Sequence, residues 1–197
     1  MVSWPKAQER ELEWWTNVRN FNPRNAWSHY DSHFSPFLKR KFDCVFDVGC
    51  GPVPYFCNCD VVHTRLACAI DPLMPEYQKL DKYKVFRAGF KYSIRTSMPD
   101  DVTMRTWTIP NPDAIFLLNM LDHAEVPAFT LVRAIELLRK DGLLFVFCDI
   151  GKEPDLMHPH TLGAASLHFD GLVDLYMKVE PSWKFDNDVL YYVGRKK

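Results

Sequence analysis

The sequence of 197 residues has no apolar stretch long enough to cross a bilayer, no excess of charge of either sign and no C-x-x-C pair. Its longest largely apolar stretch, Leu143 to Ile150, is eight residues long with Asp149 among them, against the roughly 20 that a membrane-spanning helix needs. Lys and Arg total 24 and Asp and Glu total 25, a net charge of −1. No overall field therefore favours nucleic acid or anionic lipid, and neither is expected as a partner. The opening Met1-Val2-Ser3-Trp4-Pro5-Lys6 is not followed by an apolar core, so no secretory signal is read and a cytoplasmic location is expected. The six cysteines, at 44, 50, 57, 59, 68 and 148, are then expected to be free thiols in a reducing compartment. Cys57, Cys59, His63 and Cys68 have a C-x-C-x3-H-x4-C spacing, but structural zinc sites use wider C-x2-4-C knuckles. Ordinary buried cysteine is the better reading, and no metal site is expected.

What is present suits a single hydrophobic core. The chain is 47% hydrophobic, and at this length folding buries about 70% of the extended-chain surface, so no disulfide or metal staple is needed. Aromatic residues are unevenly placed. Ten lie within the first 46 residues: Trp4, Trp14, Trp15, Phe21, Trp27, Tyr30, Phe34, Phe37, Phe42 and Phe46. From Ser3 to about Asn20, Trp4, Leu12, Trp15 and Val18 recur at helical spacing. A second helical or irregular stretch carries Trp27, Tyr30, Phe34 and Phe37, with Pro23 and Pro36 as breaks. Residues 1–41 read as an N-terminal extension and 42–197 as the main domain.

At Phe42 short apolar runs begin to alternate with helix-length polar segments, the pattern of βαβ units and a parallel sheet. Strands are expected at Cys44–Val48, Leu66–Ile70, Lys84–Arg87, Asp113–Leu118 and Leu143–Cys148. A helix is expected over Val126–Lys140, ending at Asp141-Gly142. A helix-like Thr161–Leu172 and strand-like Tyr176–Val179 and Val189–Val193 follow.

Glycine is sparse, eight in all, which makes Asp47-Val48-Gly49-Cys50-Gly51-Pro52 conspicuous at the end of the first expected strand. In an open α/β sheet ligands bind at that edge, and glycine lets backbone approach them closely. Asp71 ends the next strand 22 residues after Gly49, placed to accept from both ribose hydroxyls of a nucleoside. Alone it would read equally well as a helix cap ahead of Pro72. The turn lacks the third glycine of a dinucleotide site, with Val53-Pro54 in its place. Asp47 repels phosphate and suits a cationic group. A sulfonium nucleoside bearing an amino acid fits better than NAD.

Four segments together, Asp47-Val48-Gly49-Cys50-Gly51-Pro52, Ile70-Asp71-Pro72-Leu73, Asn119-Met120-Leu121-Asp122-His123 and His158-Pro159-His160, resemble the class I S-adenosylmethionine-dependent methyltransferases, over roughly residues 42–160. The resemblance implies a three-layer Rossmann-like α/β fold with a mostly parallel seven-stranded sheet and a C-terminal antiparallel hairpin, and S-adenosyl-L-methionine as cofactor. It also implies that Gly49, Cys50 and Gly51 pass under the methionine moiety and that Asp47 holds its amino group. Asp71 would bind the ribose, Pro72 and Leu73 an adenine face, and Asn119 and Met120 the floor near the methyl group. The adenine-edge contact has no match after the third strand, where Gly89-Phe90-Lys91-Tyr92 and Ser97-Met98-Pro99 stand. His123, His158 and His160 are the candidate bases, by their titration range and place along the chain. The slot after the fourth strand lacks the Pro-Pro-Tyr of amino-methylating DNA enzymes, and no Pro-Cys nucleophile occurs. A small-molecule or sugar-like acceptor, methylated on O or N, is expected. A noncatalytic binding module and an enzyme that cleaves the cofactor are the competing readings. The N-terminal aromatics would form a lid, some packing on the domain and others facing the pocket, with plain core packing as the alternative.

Overall fold

The computed structural model describes residues 3–19, 21–58, 60–86, 92–95, 110–163, 166–182 and 186–197. Two helices open the chain, α1 (Trp4–Asn17) and α2 (Pro23–Leu38). Strands β1 (Lys41–Val48) and β2 (His63–Ile70) are followed by a single turn of helix, α3 (Met74–Tyr77). Then come β3 (Tyr92–Arg95), β4 (Ala114–Leu118), α4 (Pro127–Leu137), β5 (Leu143–Ile150), β6 (Leu172–Pro181) and β7 (Asp188–Lys196).

The strands form one sheet in the order β3-β2-β1-β4-β5-β7-β6. The first five are mutually parallel, and β7 runs antiparallel between β5 and β6. Parallel strands buried on both faces read as continuous apolar runs, and their residues alternate between two cores. On β5, Leu144, Val146 and Cys148 join α4's Leu131, Ala134 and Ile135 on one face. Leu143, Phe145 and Phe147 join Trp27, Phe34 and Leu38 of α2 on the other.

Several local expectations change. Pro23 does not break the second aromatic stretch. It occupies the first turn of α2, where its missing N–H is no loss, and the Asn22 side chain accepts from Arg24 N–H at 3.1 Å to cap the helix. Pro36 falls in the last turn of the same continuous helix. Of the expected strand Lys84–Arg87, residues 84–86 belong to a 3-10 helix over 81–86 and Arg87 lies outside the described residues; the third strand is β3. Lys84-Val85-Phe86-Arg87 is too short to show a period that separates the two forms, and the pairing of Tyr92 opposite Ala67 decides. No helix spans Thr161–Leu172 among the described residues. A Gly163–Ser166 turn and the positive-φ Gly171 interrupt it, while Leu162, Leu167 and Phe169 pack on the α4-side core from loops. Gly89-Phe90-Lys91, Ser97-Met98-Pro99 and Cys59 of the cysteine–histidine set lie outside the described residues.

Candidate functional site

Because β1, β2, β4 and β5 are parallel, their last residues meet along one edge of the sheet. Asp47, Asp71, Asn119 and Asp149 stand there together, beside the point where the chain runs outward from β1 to β2 and β3 on one side and to β4 and β5 on the other, which is where open α/β sheets bind ligands. Gly49 and Gly51 have φ of +65° and +58°, the left-handed region that disfavours other residues. A Cβ on Gly49 would lie 2.5 Å from the Met120 Cβ, so Met120 packs directly beneath the turn.

Asp71 ties this turn to the end of β2. One carboxylate oxygen accepts from Gly51 N–H at 2.9 Å and the other from Leu73 N–H at 2.8 Å. Burial, followed by the negative charge of Glu11, raises Asp71 to about 7. Asp47 accepts from Tyr55 N–H at 2.5 Å, and burial raises it too to about 7. Both acids are poised to gain a positively charged or hydrogen-bond-donating ligand, which would offset the cost of burying their charge. Asn119 takes a left-handed φ of +54° and donates its N–H to Phe147 O at 2.8 Å.

No family model matches the chain, and no curated protein matches it in sequence. Solved structures do match. The N-methyltransferase NodS from Bradyrhizobium japonicum WM9, in complex with S-adenosyl-L-homocysteine, superimposes with a TM-score of 0.68 at 16% identity over 97% of this chain and 98% of that one. The 1,6-didemethyltoxoflavin-N1-methyltransferase of Burkholderia thailandensis, with its substrate and S-adenosylhomocysteine, gives 0.61 at 17% identity over 89% and 82%. The chain has the fold of the class I S-adenosylmethionine-dependent methyltransferases. That fold is not tied to one reaction: the [4+2]-cyclase SpnF matches with a TM-score of 0.68 at 12% identity, over 99% of this chain and 96% of that one.

On this methyltransferase fold a cavity of ≈ 530 Å³ opens above the glycine turn. Asp47, Gly49, Cys50, Gly51 and Asn119 form its floor, and Trp14, Trp15, Trp27 and Tyr30 of α1 and α2 form the opposite wall. The aromatics divide as follows: Phe34 is fully buried against Phe145 and Tyr191, Trp15 meets Phe21 and Tyr83 edge-on over Gly51, and Trp14 is 41% exposed. Asp71, Pro72 and Met120 face a second, smaller space of ≈ 30 Å³, closed from above by Trp4, Gln8 and Glu11 of α1. Helix α1 is pinned there by Trp4 Nε1 donating to His123 O at 3.0 Å and by Lys82 Nζ donating to Thr16 O and Val18 O at 3.0 and 2.8 Å. Leu73 and His160 are half-buried and line neither space.

His123 and His158 come together at the far end of the large cavity, ring centroids 4.4 Å apart. Burial pulls His123 down, but Glu11, whose Oε2 lies 3.5 Å from Nδ1, and the charge of Asp122 outweigh it and raise the imidazole to about 9. Burial and the neighbouring His123 lower His158, whose Nδ1 lies 2.7 Å from Asp155 Oδ1. The two histidines therefore differ in charge near neutrality. Sequence reasoning did not find Glu11, Asp149, Lys152 or Asp155. Asp149, at the end of β5 as Asp47 is near the end of β1, carried a usable signal. Glu11 carried none, because only the docking of α1 brings it here.

Proposed function

We propose that the protein is an S-adenosylmethionine-dependent methyltransferase acting on an O or N atom of a small molecule. The observation that carries this reading is the left-handed Gly49/Gly51 turn between two buried acids, Asp47 and Asp71, at the floor of a cavity of ligand size. When bound, the cofactor would supply an already activated methyl group on sulfonium, open to attack at carbon by an acceptor lone pair, with the C–S bonding pair left on the departing thioether sulfur. Asp47 would hold the ammonium, Gly49, Cys50 and Gly51 the methionine chain, and Asn119 and Met120 the floor. Asp71 would hold the ribose, and Pro72 with Leu73 one face of the base. Admitting the nucleoside requires α1 to lift Trp4, Gln8 and Glu11 from the small space over Asp71 and Pro72. The cavity walls orient the acceptor and exclude water. His158 is the group fitted to take the acceptor proton: it is held neutral, and with Nδ1–H donated to Asp155 its Nε2 presents a lone pair. His123, held protonated, supplies positive charge beside it, and His160 stands outside the cavity lining.

Calorimetry with S-adenosylhomocysteine, with NADH as control, tests the cofactor. Binding of the former alone supports the reading, and binding of NADH alone overturns it. Methyl-labelled cofactor then tests transfer: label moving to an acceptor pool supports methylation. Breakdown without acceptor indicates a cleaving enzyme, and tight binding without turnover a binding module.

A further inference from the structure

We propose that Asp122, His123 and His158 form a site for one divalent first-row transition-metal cation at the acceptor end of the cavity. Their ligand atoms all lie within 4.8 Å of one another. His123 Nε2 is 3.9 Å from Asp122 Oδ1, and His158 Nε2 is 4.0 Å from Asp122 Oδ2. Bonds of about 2.0–2.2 Å to a shared ion bring donor atoms to roughly 3 to 3.5 Å apart, so small side-chain rotations close the set.

Three features point to an ion rather than to a chance meeting of polar groups. Asp122 is 1% exposed, and neither of its carboxylate oxygens has a hydrogen-bond partner among the described residues. A buried carboxylate left in that state is costly unless a cation meets it. Each imidazole also has its outer nitrogen against a carboxylate, His158 Nδ1 at 2.7 and 2.8 Å from Asp155 and His123 Nδ1 at 3.5 Å from Glu11. That arrangement turns both Nε2 atoms toward Asp122 and is how metal-ligating histidines are oriented. The charge around the cluster is negative as well. Asp122, Glu11 and Asp155 surround the two rings, with Asp149 nearby. Lys152 is a cation among them, its Nζ 2.8 Å from His158 Nδ1, 3.3 Å from Asp155 and 3.9 Å from Asp149.

Two imidazoles and one carboxylate favour a transition metal over magnesium or calcium, which prefer all-oxygen shells. Three protein ligands leave positions open, and His123 and His158 both face the cavity. The use of the ion rests on the methyl-transfer reading, although the existence of the site does not. As an ion binds, His123 releases its ring proton to solvent, both imidazoles become ligands, and the ion takes over as activator. It binds the acceptor's hydroxyl or amine and lowers its pKa. The proton leaves to solvent through the open cavity, and the lone pair that remains attacks the methyl carbon.

The test uses the full chain stripped with EDTA. Co²⁺ is titrated with the visible d–d bands as readout, and Zn²⁺ and Mn²⁺ by calorimetry, with S-adenosylhomocysteine affinity measured alongside. The expected result is one equivalent per chain with nitrogen-ligand spectra, weakened by about 100-fold or more in Asp122→Asn and in His158→Ala, at least the upper end of what changes to a ligand's outer-shell partners cost. Asp122→Asn should also abolish the rise in melting temperature that metal gives the parent chain. A purely structural Asp122 would leave that rise in place. Absence of stoichiometric binding, or binding that both variants leave unchanged, overturns the site. If that occurs while S-adenosylhomocysteine still binds, the methyl-transfer reading stands. Metal binding in a protein that ignores S-adenosylhomocysteine sinks that reading and keeps the site.

Discussion

At the scale of single residues, the glycine turn and its two acids carry the most exact expectations. Gly49→Ala must hold φ of +65° with a Cβ 2.5 Å from that of Met120. It should destabilise the protein by about 1–3 kcal/mol and abolish S-adenosylhomocysteine binding, as urea melts and calorimetry would show. Asp71→Ala frees the Gly51 and Leu73 amides together. Cofactor affinity should fall by about tenfold or more, since hydrogen bonds to a charged group contribute roughly 1.5–3 kcal/mol, and unchanged affinity would refute the ribose assignment. The place of Asp47, Gly49, Gly51 and Asp71 at the ligand edge was legible in the sequence because a glycine turn directly after an apolar strand, paired with an acid at the end of the next, marks that edge. Glu11, Asp155 and the burial of Asp122 against two imidazoles were not, since each depends on what another segment places opposite it.

At the scale of elements, α1 and α2 behave differently although their sequences look alike. Phe34 and Leu38 of α2 are completely buried in the sheet's core, so Phe34→Ala should cost about 3–5 kcal/mol, read as a shift in the urea midpoint. Helix α1 has Ala7 and Gln8 as its buried residues and rests over the ligand edge. Removing residues 1–19 should leave a cooperative melt, and should speed nucleoside entry while losing acceptor selectivity, measurable by stopped-flow binding and product analysis. Loss of the cooperative melt would make α1 core instead of lid. Strands β1, β2, β4 and β5 were readable as apolar runs. The third strand and the 161–172 segment were not, because short apolar runs carry no period and a glycine-flanked turn with scattered leucines imitates a helix.

For the molecule as a whole, stability should depend on pH through the buried acids of the ligand edge. Asp47 and Asp71 release their protons near 7 in the folded chain and near 3.8 when unfolded. Between those values the folded state holds more protons, so their contribution to stability falls as pH rises from about 4 to 7 and then levels off. The ligand-free melting temperature should decline across that window, and Asp47→Asn, which keeps an acceptor for Tyr55 N–H, should flatten the decline. A slope unchanged in that variant would mean that Asp47 ionises normally. By itself the sequence determined the layering of the sheet, the place of the glycine turn and the acids that flank it, because these follow from local backbone chemistry and from apolar runs that must be buried on two faces. Only the tertiary structure decided that α2 is core while α1 covers the cleft, and that Asp122, His123 and His158 meet. Those facts come from which surfaces pack against one another, and no local pattern along the chain encodes that.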